Sequence, residues 1–152
     1  MHYIGPKIHI DLTQLVKNYH LLSNEVGNIP IMATVKANAY GHGSVEVSKA
    51  LEKEGVRYLA VFTIEEGIEL REAGVKSDIL LYSKLNPHGI DSAIKHKLTL
   101  NISSFDDLEI LKQYNVQEHV LKVHLKIDTG MTRLGVAYNQ AEDFLRQARD
   151  ID

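Results

Sequence analysis

Short apolar runs alternate along the chain with longer segments in which apolar positions recur at helical spacing. The runs at 31–35, 58–62, 79–82, 98–102 and 121–127 are predicted strands. Between them, 64–73 reads as a helix: Ile64, Ile68 and Leu70 or Arg71 fall a turn apart, and Gly74 sits where a left-handed cap ends a helix. Ser104, followed by Asp106 and Asp107, has the hydroxyl and early acids that open another, with Ile110 and Leu111 on its inner face. Ahead of this series, 7–11 alternates apolar and polar residues and is predicted as a separate strand. A helix follows it, capped by Asp11 or Thr13, with Leu15, Tyr19 and Leu22 turned inward. The charge-rich stretch 142–152, with Phe144, Leu145 and Ala148 spaced for one face, reads as an ordinary solvated helix.

Strands that alternate with helices imply parallel strands joined by crossover helices, hence an α/β architecture. The strand starts lie 19 to 27 residues apart, a spacing that suits a (β/α)8 barrel at ~31 residues per unit with its loops; an open doubly wound sheet fits as well. No linker, low-complexity segment or composition break divides residues 1–152, which read as one domain.

Composition narrows the function. Of 152 residues, 44% are hydrophobic and 24% charged, and 17 basic against 20 acidic side chains leave a net charge of −3. This balance, without a basic block, argues against nucleic acid or an anionic membrane as the main partner and favours small-molecule chemistry. The absence of cysteine removes disulfides and thiolate metal sites. No run of about 18 apolar residues is present to cross a bilayer, and the first six residues lack a signal-peptide core, so a cytoplasmic location is expected. Asn101-Ile102-Ser103 matches the glycosylation acceptor pattern and, without a secretion signal, is read as chance. The eight histidines show no zinc spacing, and no metal is predicted; His42 lies in a glycine-bounded loop and His124 on the fifth strand, packed or facing outward.

The richest segment is 31–43, where an apolar strand delivers Lys36 at its carboxyl end and runs into a small loop. In α/β folds that end of the sheet is where sites assemble. A lysine there is either a snorkelling side chain or, as a neutral amine, a covalent anchor for an aldehyde. Gly41-His42-Gly43 lets backbone N–H groups approach a phosphate at the next helix start. Asp128-Thr129-Gly130 also marks aspartic proteases, but those need a second copy of the triplet in an all-β fold.

Taken together, Val35-Lys36-Ala37-Asn38-Ala39-Tyr40-Gly41-His42-Gly43 resembles the pyridoxal-phosphate attachment motif of alanine racemases. Lys7-Ile8-His9-Ile10-Asp11-Leu12 is similar to that family's opening strand, and Glu65-Glu66-Gly67-Ile68-Glu69-Leu70-Arg71-Glu72-Ala73-Gly74 to its second barrel helix. Leu125-Lys126-Ile127-Asp128-Thr129-Gly130-Met131-Thr132-Arg133-Leu134-Gly135 resembles its segment after the fifth strand, with Thr132 where glycine is common.

The resemblance implies a partial (β/α)8 TIM-type barrel, about five of eight βα units, preceded by an N-terminal strand and helix. Strands one and five are then open edges. It implies interconversion of L- and D-alanine for peptidoglycan supply by a cytoplasmic homodimer. Lys36 then holds pyridoxal 5′-phosphate covalently and serves as one of two bases, and the hydroxyl of Tyr40 reaches the cofactor phosphate. Arg133 lies near the cofactor's phenolic oxygen, and Lys126 is the lysine that in many members carries a carbamate and pairs with that arginine. Asp128 helps the turn that aims Arg133. The opposite base is a tyrosine of the partner subunit's C-terminal β domain. That domain and the last barrel strands lie outside this stretch, which alone is expected to be inactive. Two alternatives stand beside this: a serine racemase on the same scaffold, and a non-catalytic pyridoxal-phosphate-binding barrel protein.

Overall fold

In the computed structural model, which describes residues 5–27, 29–114 and 121–151, the five apolar runs form one parallel sheet. Its strands are β1 Met32–Thr34, β2 Tyr58–Val61, β3 Asp78–Leu81, β4 Leu98–Ile102 and β5 Val123–Leu125, in that spatial order. Helices α1 Leu12–Glu25, α3 Ser44–Lys53, α4 Ile64–Glu72, α5 Ile90–Lys95, α6 Phe105–Gln113 and α7 Ala141–Arg149 surround it, and a short helical element, α2 Lys36–Gly41, follows β1. Two short strands, β6 Ile127–Asp128 and β7 Val136–Ala137, pair separately.

Side chains alternate across the sheet. Leu59, Val61, Ile79, Leu81, Leu98, Leu100 and Ile102 point outward into the core shared with the helices. The opposite set, Met32, Tyr58, Leu80, Thr99 and His124, one from each strand, lines a cavity of about 300 Å³. The sheet is therefore concave, an arc of five consecutive βα units of a (β/α)8 barrel with β1 and β5 at its edges. The inner strand β4 is buried throughout, whereas the edge strand β5 is largely exposed.

Local chemistry sets the helix ends. Asp11 accepts the N–H of Gln14 at 3.0 Å and starts α1; Ser104 accepts that of Asp107 at 3.2 Å and starts α6. In α4, Thr63 accepts the N–H of Glu66 while the Glu66 carboxylate accepts that of Thr63, a reciprocal capping box. Replacing Thr63 by alanine is expected to lower stability by about 1 kcal/mol in urea unfolding. Gly67 lets α4 lie against the sheet, since a Cβ there would sit 2.9 Å from Leu98 Cδ1. Arg71 ties the far end of α4 down, donating to the carbonyls of Val75, Ser77, His96 and Lys97.

Four expectations are corrected. Residues 7–11 form no strand, because no described strand pairs with them, and Ile8 is 81% exposed. Leu22 is also exposed: α1 reaches the core through Leu12, Leu15 and Tyr19. The run 121–127 is not one strand. Lys126 still donates its N–H to Ile102, at 2.8 Å, but the chain then leaves the sheet and pairs β6 with β7. Finally, α7 is anchored rather than merely solvated: Phe144 is fully buried and meets Phe105 edge-on at 5.4 Å, while Leu145 faces out. No described helix is long and apolar enough to cross a membrane.

Candidate functional site at the carboxyl end of the sheet

The pairing of Thr34 with Ala60 puts Lys36 beside Phe62, two positions on and on the concave side. The Lys36 ammonium lies 5.7 Å from the centre of the Phe62 ring and 6.0 Å from that of Tyr40. Both aromatic rings are well exposed, so the amine lies over two π faces that are open to solvent. Phe62 went unnoticed in the sequence; only the strand register brings it to the lysine.

Directly after Lys36 the backbone turns left-handed. Ala37, Asn38, Ala39 and Tyr40 have φ of 50, 54, 51 and 54°, four consecutive residues in a region that costs non-glycine residues about 1–2 kcal/mol each. The turn is held by surrounding bonds. Ala39 N–H reaches Val35 O at 2.8 Å, Gly43 N–H reaches Asn38 O at 3.0 Å, and the Asn38 side-chain oxygen accepts Ser44 N–H at 2.8 Å. His42 Nδ1 lies 2.8 Å from the Ala39 carbonyl. Strain of this kind persists only where the surroundings over-determine it, and it clusters at functional sites.

Glu66, from the start of α4, closes the other side. One oxygen accepts Ala37 N–H at 2.7 Å; the other accepts Phe62 N–H at 2.7 Å and Thr63 N–H at 3.1 Å. Partial burial pushes this carboxyl up, but those N–H groups and the Lys36 charge outweigh it and hold it below the usual carboxylate range. Glu52, bonded to the Ser77 hydroxyl and to the N–H groups of Lys76 and Ser77, is lowered likewise against its own burial. Carboxyls lowered in the folded state contribute stability that is complete above their unfolded value, about 4.3 for glutamate, and lost as pH falls through the lower folded values. Urea midpoints are therefore expected to fall below about pH 4.3, and less steeply in Glu66→Gln.

At the opposite edge, Lys126 continues the inward parity of His124, so it shares the concave carboxyl end with Lys36, four strands away. Neither Lys126 nor Arg133 enters an ion pair among the described residues, and Arg133 is exposed in the turn between β6 and β7. Asp128 builds that turn, as expected, accepting the N–H groups of Gly130 and Thr132, each at 3.0 Å. Those bonds, foremost the one from Thr132, and the Lys126 charge lower its carboxyl. Thr132 itself has φ 55°, costly for a β-branched residue. Thr132→Gly is expected to raise stability by up to about 1 kcal/mol, strain relief less the entropy glycine adds, in thermal unfolding.

A lysine flanked by aromatic rings and followed by a strained left-handed turn thus stands at the carboxyl end of a partial barrel. The family model described as "Alanine racemase, N-terminal domain" matches residues 10–152. The chain belongs to that family. It is 42% identical to the alanine racemase of Staphylococcus carnosus over 139 residues, 90% of this chain and 36% of the relative. The Synechocystis alanine racemase is 40% identical over 91% of this chain and 38% of its own length. Among solved structures, the Clostridium difficile 630 alanine racemase superposes with a TM-score of 0.84 at 35% identity, covering 94% of this chain and 38% of that one. The Oenococcus oeni alanine racemase gives 0.85 at 31% identity, covering 93% and 41%. The chain thus spans a little over a third of the length of the curated relatives it matches.

Proposed function

We propose that this chain is the N-terminal part of the barrel domain of a racemase that interconverts L- and D-alanine, with Lys36 as its covalent anchor for pyridoxal phosphate. The observation that carries this reading is the Lys36 amine over the rings of Tyr40 and Phe62 at the carboxyl end of β1. The donor set fits the cofactor: a primary amine for its aldehyde, a phenol hydroxyl and glycine-bounded N–H groups for its phosphate, and aromatic faces beside a flat ring. When bound, pyridoxal phosphate supplies a conjugated ring that spreads the charge left when the Cα proton of alanine departs.

The chain's own residues do the rest. Lys36 would hold the cofactor and move a proton at Cα on one face. The Tyr40 hydroxyl would bond the phosphate, and Arg133, carried on the Asp128 turn, would serve the phenolic oxygen. Lys126 beside that arginine would set two cations together; a carbamate on Lys126 turns the repulsion into an ion pair. Inversion needs a second base on the opposite face, which this reading assigns to a tyrosine of a partner subunit in a homodimer. The 152 residues alone are therefore expected not to racemise alanine. A cytoplasmic role in peptidoglycan precursor supply follows from the same reading.

The test is to add pyridoxal phosphate to the protein that carries this chain, reduce with borohydride, and locate the adduct by mass, while following alanine and serine by polarimetry. An adduct at Lys36 with alanine turnover is the expected result. An adduct without turnover of either amino acid would favour a binding protein, and serine turnover ahead of alanine would favour the serine enzyme.

A further inference from the structure

We propose that Glu66 is a positioning residue for Lys36, fixing the peptide from which the lysine side chain projects. The proposal rests on the racemase reading. Its geometry is a carboxylate shared between two neighbouring strand ends: Oε2 takes the N–H groups of Phe62 and Thr63, and Oε1 takes that of Ala37, the residue bonded to Lys36. The peptide so held is where the left-handed turn begins. One carboxylate therefore fixes both the amine's own backbone and the Phe62 backbone that carries one of its aromatic walls.

The fold contains its own control. At the same position of α6, Asp107 follows the capping residue Ser104 by three, and its Oδ2 accepts Ser103 N–H at 2.7 Å. Its Oδ1 is buried without a partner. A one-methylene side chain thus suffices to bind the strand end behind its own helix, and it reaches no further. The extra methylene of Glu66 carries its second oxygen across to the neighbouring unit, onto Ala37. That span is what helix capping alone does not require.

Glu66→Asp separates the two duties. The shorter carboxylate keeps a bond to the strand-end N–H of Phe62, as Asp107 keeps that of Ser103, and loses Ala37. Misplacement of a reacting group by about 1 Å costs up to roughly 10²-fold in rate. In the racemase that carries this chain, Glu66→Asp is expected to lower kcat about tenfold or more with KM for alanine within twofold. Pyridoxal-phosphate capture at Lys36, read as the borohydride-trapped mass against cofactor concentration, should weaken about tenfold. Thr63→Ala, which weakens the same helix cap, should leave capture and kcat within twofold of wild type. If Glu66→Asp does not fold, Glu66→Gln, which keeps one acceptor oxygen, is read by the same criteria. Capture and kcat in the Glu66 variant matching Thr63→Ala would overturn the positioning role alone. Wild-type protein that neither captures the cofactor nor racemises alanine would overturn the racemase reading and this role with it.

Discussion

Replacing Lys36 by alanine is expected to abolish the borohydride-reducible pyridoxal-phosphate adduct and to cut alanine racemisation by at least about 10²–10⁴-fold, the usual contribution of a positioned base. The substitution leaves the fold intact. Lys36 is only half-buried, and its contacts with Tyr40 and Phe62 are cation–π contacts worth about 0.5–1 kcal/mol at an exposed site. The core beneath it, Val35, Leu59 and Val61, is untouched. Folding should survive, so lost activity reports chemistry rather than collapse. Lys126 is the rival anchor, because it shares the concave carboxyl end. Lys126→Ala should keep the adduct, and a trapped mass on residue 126 would reverse the assignment. A reducible adduct persisting in Lys36→Ala would sink it outright.

Much of the arc was legible because successive residues of the middle strands are buried on both sides of the sheet, and such strands read as continuous apolar runs. Runs 58–62 and 98–102 come within one residue of β2 and β4 for that reason. The edges were harder. Residues 7–11 carry a period of two without a neighbour to receive it, and 121–127 mixes a strand with the start of a separate pair. In α7, Phe144 and Leu145 are adjacent apolar residues on different faces, and only tertiary contact decides which is buried.

At the site the division is similar. Lys36 and Tyr40 were readable from their motif and are neighbours in space. The left-handed turn was not, since Ala37, Asn38, Ala39 and Tyr40 include no glycine to announce a positive φ. Glu66 was hidden by its own sufficiency. A threonine followed by a glutamate three residues later is explained by capping, and nothing local shows that its other oxygen crosses to Ala37.

Gly135→Ala is expected to cost roughly 2–6 kcal/mol, combining about 1–3 of backbone strain with about 1–3 of overpacking. Its φ of 112° belongs to glycine, and an added Cβ would stand 2.8 Å from Asp128 N and 3.0 Å from both Ile127 C and Lys126 O. These are backbone atoms, so no side-chain rotation relieves the clash. The backbone it strikes is the one that places Lys126, the Asp128 turn and hence Arg133, and the Val136 N–H to Lys126 O bond at 3.1 Å closes the same loop. The substitution should therefore separate the two halves of the site. In the protein that carries this chain, the Lys36 adduct should still form, because β1 and Glu66 lie at the other edge of the sheet, while the proposed alanine turnover falls with the displaced Arg133. Unfolding in urea would check the stability loss, and borohydride trapping with polarimetry the separation. A variant as stable and as active as wild type would mean that the 128–135 turn yields freely and does not aim Arg133.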